Sequence, residues 1–330
     1  MTDMPLISVR HVKKSFDTKR AGIVSAIRKT NQKVYAVDDV TFDLHKGEIL
    51  GLIGESGCGK STTAKLLLKL LRPDNGTILY KGADITAISG KQLEEYRQKA
   101  QIIFQDPYEY LNPRMNVLDA VAEPLVINKL AAAQEEKKNI VSKYLELVGV
   151  SPAQSYLYRY PHEMSGGQRQ RIAIARALVM EPEFVVADEP TSMLDVSVRA
   201  GILNLLRKLK KDLGVSMVFI THDLTTAGYM CDRIAVMYKG RIVETGSRDD
   251  IIYSPQHPYT KALVDVATNL TAFLSGEDRH IKDGEVNSYE QIKNCSFENR
   301  CLHFDVDCMC ENSACMRECS PGHFVACCKC

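Results

Sequence analysis

The stretch that most limits what this chain can become is Gly54-Glu55-Ser56-Gly57-Cys58-Gly59-Lys60-Ser61. It meets every fixed position of the pattern G-x-x-x-x-G-K-[ST]. The apolar run Ile49-Leu50-Gly51-Leu52-Ile53 precedes it and reads as a strand, and Thr62 to Leu68 follows and reads as a helix. Glycines let the backbone close around a phosphate chain and present N–H donors to it. The helix start adds about half a positive charge. In that geometry Lys60 reaches the β- and γ-phosphates, and Ser61 holds Mg²⁺ through its hydroxyl. Residues 54–62, Thr62 included, then form one nucleotide-binding cradle. Cys58 contributes only its backbone.

The rest of the composition removes several function classes. A formal net charge of +1 gives no global attraction to nucleic acid or to anionic lipid. No apolar run approaches the roughly 18 to 20 residues that span a bilayer. The start, Met1-Thr2-Asp3-Met4-Pro5, lacks the basic and apolar blocks of a signal peptide. A cytoplasmic chain, soluble or peripheral to something else, is the expectation. Of eleven cysteines, nine fall between Cys295 and Cys330. A nucleotide-binding chain works in a reducing compartment, where stable disulfides are uncommon. The tail therefore reads as metal-binding rather than as cross-linked to itself.

Along the chain, Leu6 to Arg10 alternates as a strand should, and residues 17–34 read as a basic loop. Tyr35 to Val37, Val40 to Leu44, and Gly76 to Gly82 read as strands, and Lys91 to Lys99 as a helix. Gln101 to Phe104 is a short buried strand. Residues 117–158 hold helical periodicity, with Leu118, Val121, Leu125, Val141, Tyr144 and Leu145 on the apolar side. This is a helical insert between two halves of an α/β core. The core resumes at Phe184-Val185-Val186-Ala187, an unbroken apolar run typical of a strand buried on both faces. Leu194 to Leu213 is a helix, and Ser216 to Ile220 another buried strand. Lys239-Gly240 is the turn of a hairpin. The expected organisation is a catalytic domain over 1–265 with a helical subdomain at about 106–180, bounds that rest on the family resemblance given below, then a linker over 266–294 and a cysteine-rich region over 295–330.

Further positions carry chemistry. Asp188 and Glu189 follow the apolar strand; the first can hold Mg²⁺ through water, and the second can polarise a water attacking the γ-phosphate. Gln105 ends a strand where the core gives way to the insert, and its side-chain carbonyl can ligate Mg²⁺ or orient water. His222, after another buried strand, can hydrogen-bond a γ-phosphate oxygen or the attacking water. Ser165-Gly166-Gly167-Gln168 opens a helix, and its hydroxyl and bare backbone make a second anion site. One chain needs one phosphate loop per nucleotide, so this second site points to another molecule's nucleotide. Phe16 can stack on adenine or pack in the core.

Taken in order, the phosphate loop, Gln105, Ser165 to Gln168, Asp188-Glu189, Leu194-Asp195 and His222 resemble the ATP-binding cassette (ABC) ATPases over residues 6–265. The resemblance implies a P-loop ATPase core of mixed sheet and helices, an antiparallel β subdomain and a helical subdomain. It also implies head-to-tail pairing, in which Ser165, Gly166, Gly167 and Gln168 close over ATP held by a partner. Glu189 would then be the general base and His222 the switch histidine, Asp195 would lie at the dimer seam, and Gln105 would couple nucleotide state to a membrane subunit. Phe104 to Tyr108, Leu111 to Met115, Arg159 to Glu163 and Pro255 to Thr260 narrow the resemblance to the oligopeptide/dipeptide and nickel permease ATPases, in wording like the second of their two ATPase subunits. Met164, Met193 and Glu109-Tyr110 depart from that family's usual residues. In the tail, Cys295, Cys301, Cys308 and Cys327, with His323, resemble a region that can bind a [4Fe–4S] cluster. Four thiolates also suit zinc, or remain free thiols. Cys310, Cys315, Cys319, Cys328 and Cys330 exceed the pattern.

The implied function is ATP hydrolysis, with Mg²⁺, driving import of di- or oligopeptides at the cytoplasmic face of a membrane. The implied partners are a paralogous ATPase subunit, two integral membrane permease subunits and an extracellular solute-binding protein, with no nucleic acid. Import of nickel, a metal chelate or an oligosaccharide is the near alternative. A DNA-repair ATPase would carry a long coiled coil where this chain has a short insert without heptads. A ribosome-acting protein would carry two cassettes. A metal-sensing regulator would leave the ATP site unexplained.

Overall fold

Apolar residues recurring along β1 (Ile7–Thr18) turn one face inward, with Ile7, Val9 and Val12 all buried. The structure is a computed structural model and describes residues 4–18, 32–268, 282, 295–305, 308 and 315–329. It divides into two compact units, Met1–Ala87 with Ile220–Cys330, and Ile88–Phe219.

In the first unit β1 pairs antiparallel with β2 (Gln32–Leu44). The buried strand β3 (Ile49–Ile53) leads into α1 (Lys60–Leu67), followed by β4 (Asn75–Tyr80) and β5 (Ala83–Asp84). One antiparallel sheet has the order β2-β1-β4-β5. The loop expected over 17–34 needs correction at its ends. Phe16 pairs with Val34, Asp17 with Lys33 and Thr18 with Gln32. A cross-strand ladder satisfies those backbone groups, and neither side's polar sequence reveals it. Residues 19–31, with Lys19, Arg20, Arg28 and Lys29, lie outside the described residues. The two strands expected at 35–37 and 40–44 are one strand, irregular where Asp39 takes a φ of 67° and the register shifts.

The second unit contains α2 (Gly90–Lys99), β6 (Ala100–Ile103), the single turn α3 (Pro107–Tyr110), α4 (Val117–Ile127) and α5 (Gln134–Leu147). It continues with α6 (Gly166–Leu178), β7 (Phe184–Asp188), α7 (Val196–Leu213) and β8 (Ser216–Thr221), within which the chain returns to the first unit. The strand order is β8-β7-β6, with β6 and β7 parallel. Within the stretch expected to be helical, 117–158, residues 117–127 and 134–147 are α-helical. Asn116 starts α4 by accepting a hydrogen bond from the Asp119 amide at 2.9 Å, and α5 buries Val141, Tyr144 and Leu145.

Back in the first unit come α8 (Leu224–Met230), β9 (Arg233–Tyr238), β10 (Arg241–Ser247), α9 (Arg248–Tyr253) and α10 (Pro258–Thr268). The tail adds β11 (Arg317–Ser320) and β12 (His323–Val325). Within this unit the order is β11-β12-β10-β9-β3, with β3 and β9 parallel and β9, β10, β12 and β11 antiparallel in turn. Lys239 and Gly240 both take positive φ, 46° and 79°, as a two-residue hairpin turn demands. The last two strands carry too few residues to show a period. The tail is sheet-paired to β10 through them, Glu244 opposite Val325. Among the described residues no helix is long and apolar enough to cross a membrane.

Candidate functional site

The phosphate loop leaves β3 between backbones that leave no room for side chains. A Cβ on Gly54, at φ 152°, would stand 2.2 Å from the Met237 carbonyl oxygen. A Cβ on Gly59, at φ 107°, would stand 2.1 Å from that of Ala36. Ser56, Gly57 and Ser61 are exposed, while Cys58 is buried and its thiol pKa is pushed up by that burial. No side chain caps α1 at Gly59, and such a helix start is the setting in which backbone N–H groups receive an anion. The ammonium of Lys60, a residue only 5% exposed, donates to the carbonyls of Gly54 at 2.7 Å and Glu55 at 2.9 Å. His222, exposed beyond β8, belongs to the same unit. So does Phe16, which is 41% exposed and has Lys14 Nζ 5.7 Å from its ring centroid; it is not a core residue.

In the second unit β7 is buried from Phe184 to Ala187 and delivers Asp188 and Glu189 at its C-terminal end. The register that pairs Ile103 with Ala187 brings Gln105 out at the same edge of this parallel pair. Glu189 has φ 45°, a left-handed backbone in a residue that is not glycine. The turn behind it is held by the Ser192 amide and hydroxyl, which donate to the Glu189 carbonyl at 3.2 and 3.1 Å.

Ser165 caps α6 reciprocally with Gln168. The serine hydroxyl accepts from the Gln168 amide at 3.3 Å, and the Gln168 side chain accepts from the Ser165 amide at 3.1 Å. Gly167 also serves packing, since a Cβ there would stand 2.5 Å from Val198 of α7. Asp195 is the N-cap residue of that helix.

In the tail, Cys295, Cys301, Cys308 and Cys327 line one cavity of about 100 Å³, together with Cys328. Burial pushes Cys295 up to about 11, and the neighbouring thiols add to the shift; burial likewise raises Cys308 to about 11, helped by the Cys328 thiol 2.7 Å away. Thiols grouped in one pocket fit a cationic metal group, which would favour their thiolate form. Among the described residues, however, no three of His, Cys, Asp or Glu stand as a finished ligand set for one ion. Cys315 and Cys319 are exposed, and Cys310 and Cys330 lie outside the described residues.

Two groupings near these sites were not foreseen from sequence, although Glu55, His323 and residues 255–260 were each named there. Glu244 is fully buried and accepts hydrogen bonds from the amides of Gln256 at 2.8 Å and His257 at 2.9 Å; it lies 2.7 Å from Nε2 of the tail's His323. Burial lowers His257 to about 3, so its neutral ring accepts from the Tyr259 amide at 3.1 Å. In the second group the Glu55 amide donates to the Tyr259 hydroxyl at 2.9 Å, and Arg300 Nη1 reaches both Glu55 carboxylate oxygens at 3.0 and 3.1 Å. Nothing in sequence spacing joins residues so far apart.

Comparison with known proteins agrees with this geometry. Residues 37–192 match the family model for ABC transporters, and residues 243–308 match the oligopeptide/dipeptide transporter C-terminal region. The oligopeptide transport ATP-binding protein OppF of Bacillus subtilis is 42% identical over 98% of this chain and 96% of its own length. OppF of Streptococcus mutans is 42% identical over 95% and 94%. Among solved structures, the dimeric ATP-binding cassette MJ0796 bound to ADP and Pi is similar with a TM-score of 0.64 and 27% identity, over 73% of this chain and 98% of that one. CbiO1 of Clostridium perfringens, part of the ABC transporter complex cbiONQ, also gives 0.64, with 26% identity over 82% and 99%. The glycine loop, the acidic strand end and the capped Ser-Gly-Gly-Gln helix thus sit in a chain that belongs to the ABC transporter ATPases, in their oligopeptide/dipeptide group.

Proposed function

We propose that this chain is the ATP-hydrolysing subunit of a peptide importer and works as one half of a cassette pair at the cytoplasmic face of a membrane. The observation that carries this reading is that one chain holds both a phosphate loop and a second, serine-capped helix start, and continues into an oligopeptide/dipeptide transporter C-terminal region. The catalytic domain runs over 1–265, and 295–330 forms the cysteine-rich region. Lys60 and the amides of residues 54–62, apart from that of Glu55, which donates to Tyr259, bind the phosphates, and Phe16 stacks on adenine. Ser61, Gln105 and Asp188 would hold Mg²⁺, which would offset phosphate charge. Glu189 takes the proton of the attacking water, and His222 orients that water or a γ-phosphate oxygen. Ser165 to Gln168 close on the ATP of a paralogous subunit. Two permease subunits and an extracellular solute-binding protein complete the system. Reconstitution of all these chains in vesicles tests it: external oligopeptide should accumulate inside only when ATP faces this subunit. ATP hydrolysis that no peptide-loaded binding protein stimulates, with no uptake, would overturn it.

For the cysteine region we propose a [4Fe–4S] cluster on Cys295, Cys301, Cys308 and Cys327, with zinc as the alternative. A cluster there would supply a cross-link and a one-electron couple. The support is that all four thiols line one cavity. Protein purified without oxygen should be brown and contain iron and acid-labile sulfide in equal amounts, and Cys301→Ala should lose both. Colourless, zinc-loaded protein from the same preparation would overturn the cluster.

A further inference from the structure

A carboxylate within a phosphate loop is a like charge beside a triphosphate. Glu55 is such a group, and it is held at several atoms. Its carboxylate lies against Arg300 Nη1 at 3.0 and 3.1 Å, its amide donates to Tyr259, and its carbonyl accepts from Lys60 at 2.9 Å. The Arg300 side chain is 11% exposed and that of Glu55 35%, so water screens the pair only in part. Arg300 comes from the turn between Cys295 and Cys301. That turn is fixed by Phe297, 1% exposed, whose carbonyl accepts from the amides of Arg300 and Cys301, both at 3.0 Å. The Phe297 ring packs against Tyr238 at 5.2 Å, His257 at 5.4 Å and Tyr259 at 5.8 Å between centroids. The guanidinium itself lies 5.9 Å from the centroid of Tyr238, at the end of β9. A rigid aromatic base thus aims one cation at the acidic residue of the loop.

We propose that Arg300 is a positioning residue for nucleotide binding, which neutralises Glu55 and fixes the phosphate loop from the cysteine-rich tail. Without it the Glu55 carboxylate is left unpaired and repels the incoming polyphosphate. The inference rests on the ATP-binding reading of this loop and adds to it a residue from the far end of the chain. Because linkage is reciprocal, whatever orders the turn at Cys295 to Cys301 also tightens ATP binding.

The test is an equilibrium titration of the full-length chain with a fluorescent ATP analogue, with thermal unfolding measured in parallel. Arg300→Gln should bind about tenfold more weakly, the scale of one charge-assisted contact. The defect should shrink as salt is raised. Glu55→Gln, which keeps the loop backbone and removes only the side-chain charge beside the phosphates, should bind more tightly than the parent. Glu55→Gln combined with Arg300→Gln should return to within about twofold of it, because the repulsion leaves with the carboxylate. A merely structural arginine gives no such rescue. Arg300→Lys, which keeps the charge and a single donor nitrogen, should stay near the parent and carries the test if the glutamine variant does not fold. Equal affinity in parent and Arg300→Gln, a double variant as weak as the single one, or a tenfold loss in Arg300→Lys would each overturn the proposal. A parent chain that binds no ATP would instead overturn the reading of the loop itself.

Discussion

Glu189→Gln should cut ATP turnover in the assembled transporter by about 10²- to 10⁴-fold, the usual worth of a positioned general base. ATP binding should survive, and the cassette pair should remain closed. The substitution keeps shape and one acceptor but removes the carboxylate proposed to take the proton of the attacking water. The backbone supports this assignment independently of the motif. Glu189 holds φ 45° at the end of a buried strand. For a residue with a Cβ such a conformation costs on the order of 1–3 kcal/mol and persists where the surroundings over-determine it. Here the Ser192 amide and hydroxyl both bond the Glu189 carbonyl, and buried Pro190 follows it. Those are backbone restraints, so glutamine should occupy the same place. Phosphate release in single turnover, beside light scattering with ATP present, separates the outcomes. Lost turnover with a persistent ATP-bound pair supports the role. Turnover like that of the parent assigns the base to another residue.

What could be read without coordinates was local. The glycine loop, the apolar run ending in Asp188 and the Lys239-Gly240 turn each express their geometry within a few neighbouring residues, and each is found as expected. The ends of β1 and β2 are different: Asp17 and Lys33 are polar and look like loop, yet they pair across the ladder. Their stability comes from a partner strand that no single-segment pattern contains. The tail shows the same limit at longer range. His323-Phe324-Val325 is too short to show alternation, but it docks on β10, and His323 meets a carboxylate buried at Glu244. A buried carboxylate needs donors from several directions. Here they come from residues 256, 257 and 323, which share no pattern in sequence. The Ser165 helix start carries a different lesson. Its Gly167 satisfies a close approach to Val198 as well as any role toward a phosphate, so that glycine alone does not discriminate between those readings.

Lys60→Ala should weaken ATP binding by about two orders of magnitude. Two hydrogen bonds from an ammonium to phosphate oxygens contribute roughly 1.5–3 kcal/mol each, and about 1.4 kcal/mol is a factor of ten in affinity. In the present structure the ammonium rests on the carbonyls of Gly54 and Glu55, inside its own loop. Binding therefore exchanges carbonyl partners for phosphate oxygens, and only the difference between them contributes to affinity. The same contacts complicate the variant, because alanine leaves the buried Gly54 without its lysine donor and loosens the loop. The nucleotide series resolves the two effects. If Lys60 acts on the β- and γ-phosphates, the loss should be largest for ATP, smaller for ADP and nearly absent for AMP. A loop that has simply collapsed should lose all three together. Calorimetric titration of each nucleotide, with the unfolding midpoint as a control, measures this directly. Equal losses across the series, or undiminished ATP binding, would remove Lys60 from the phosphate contacts.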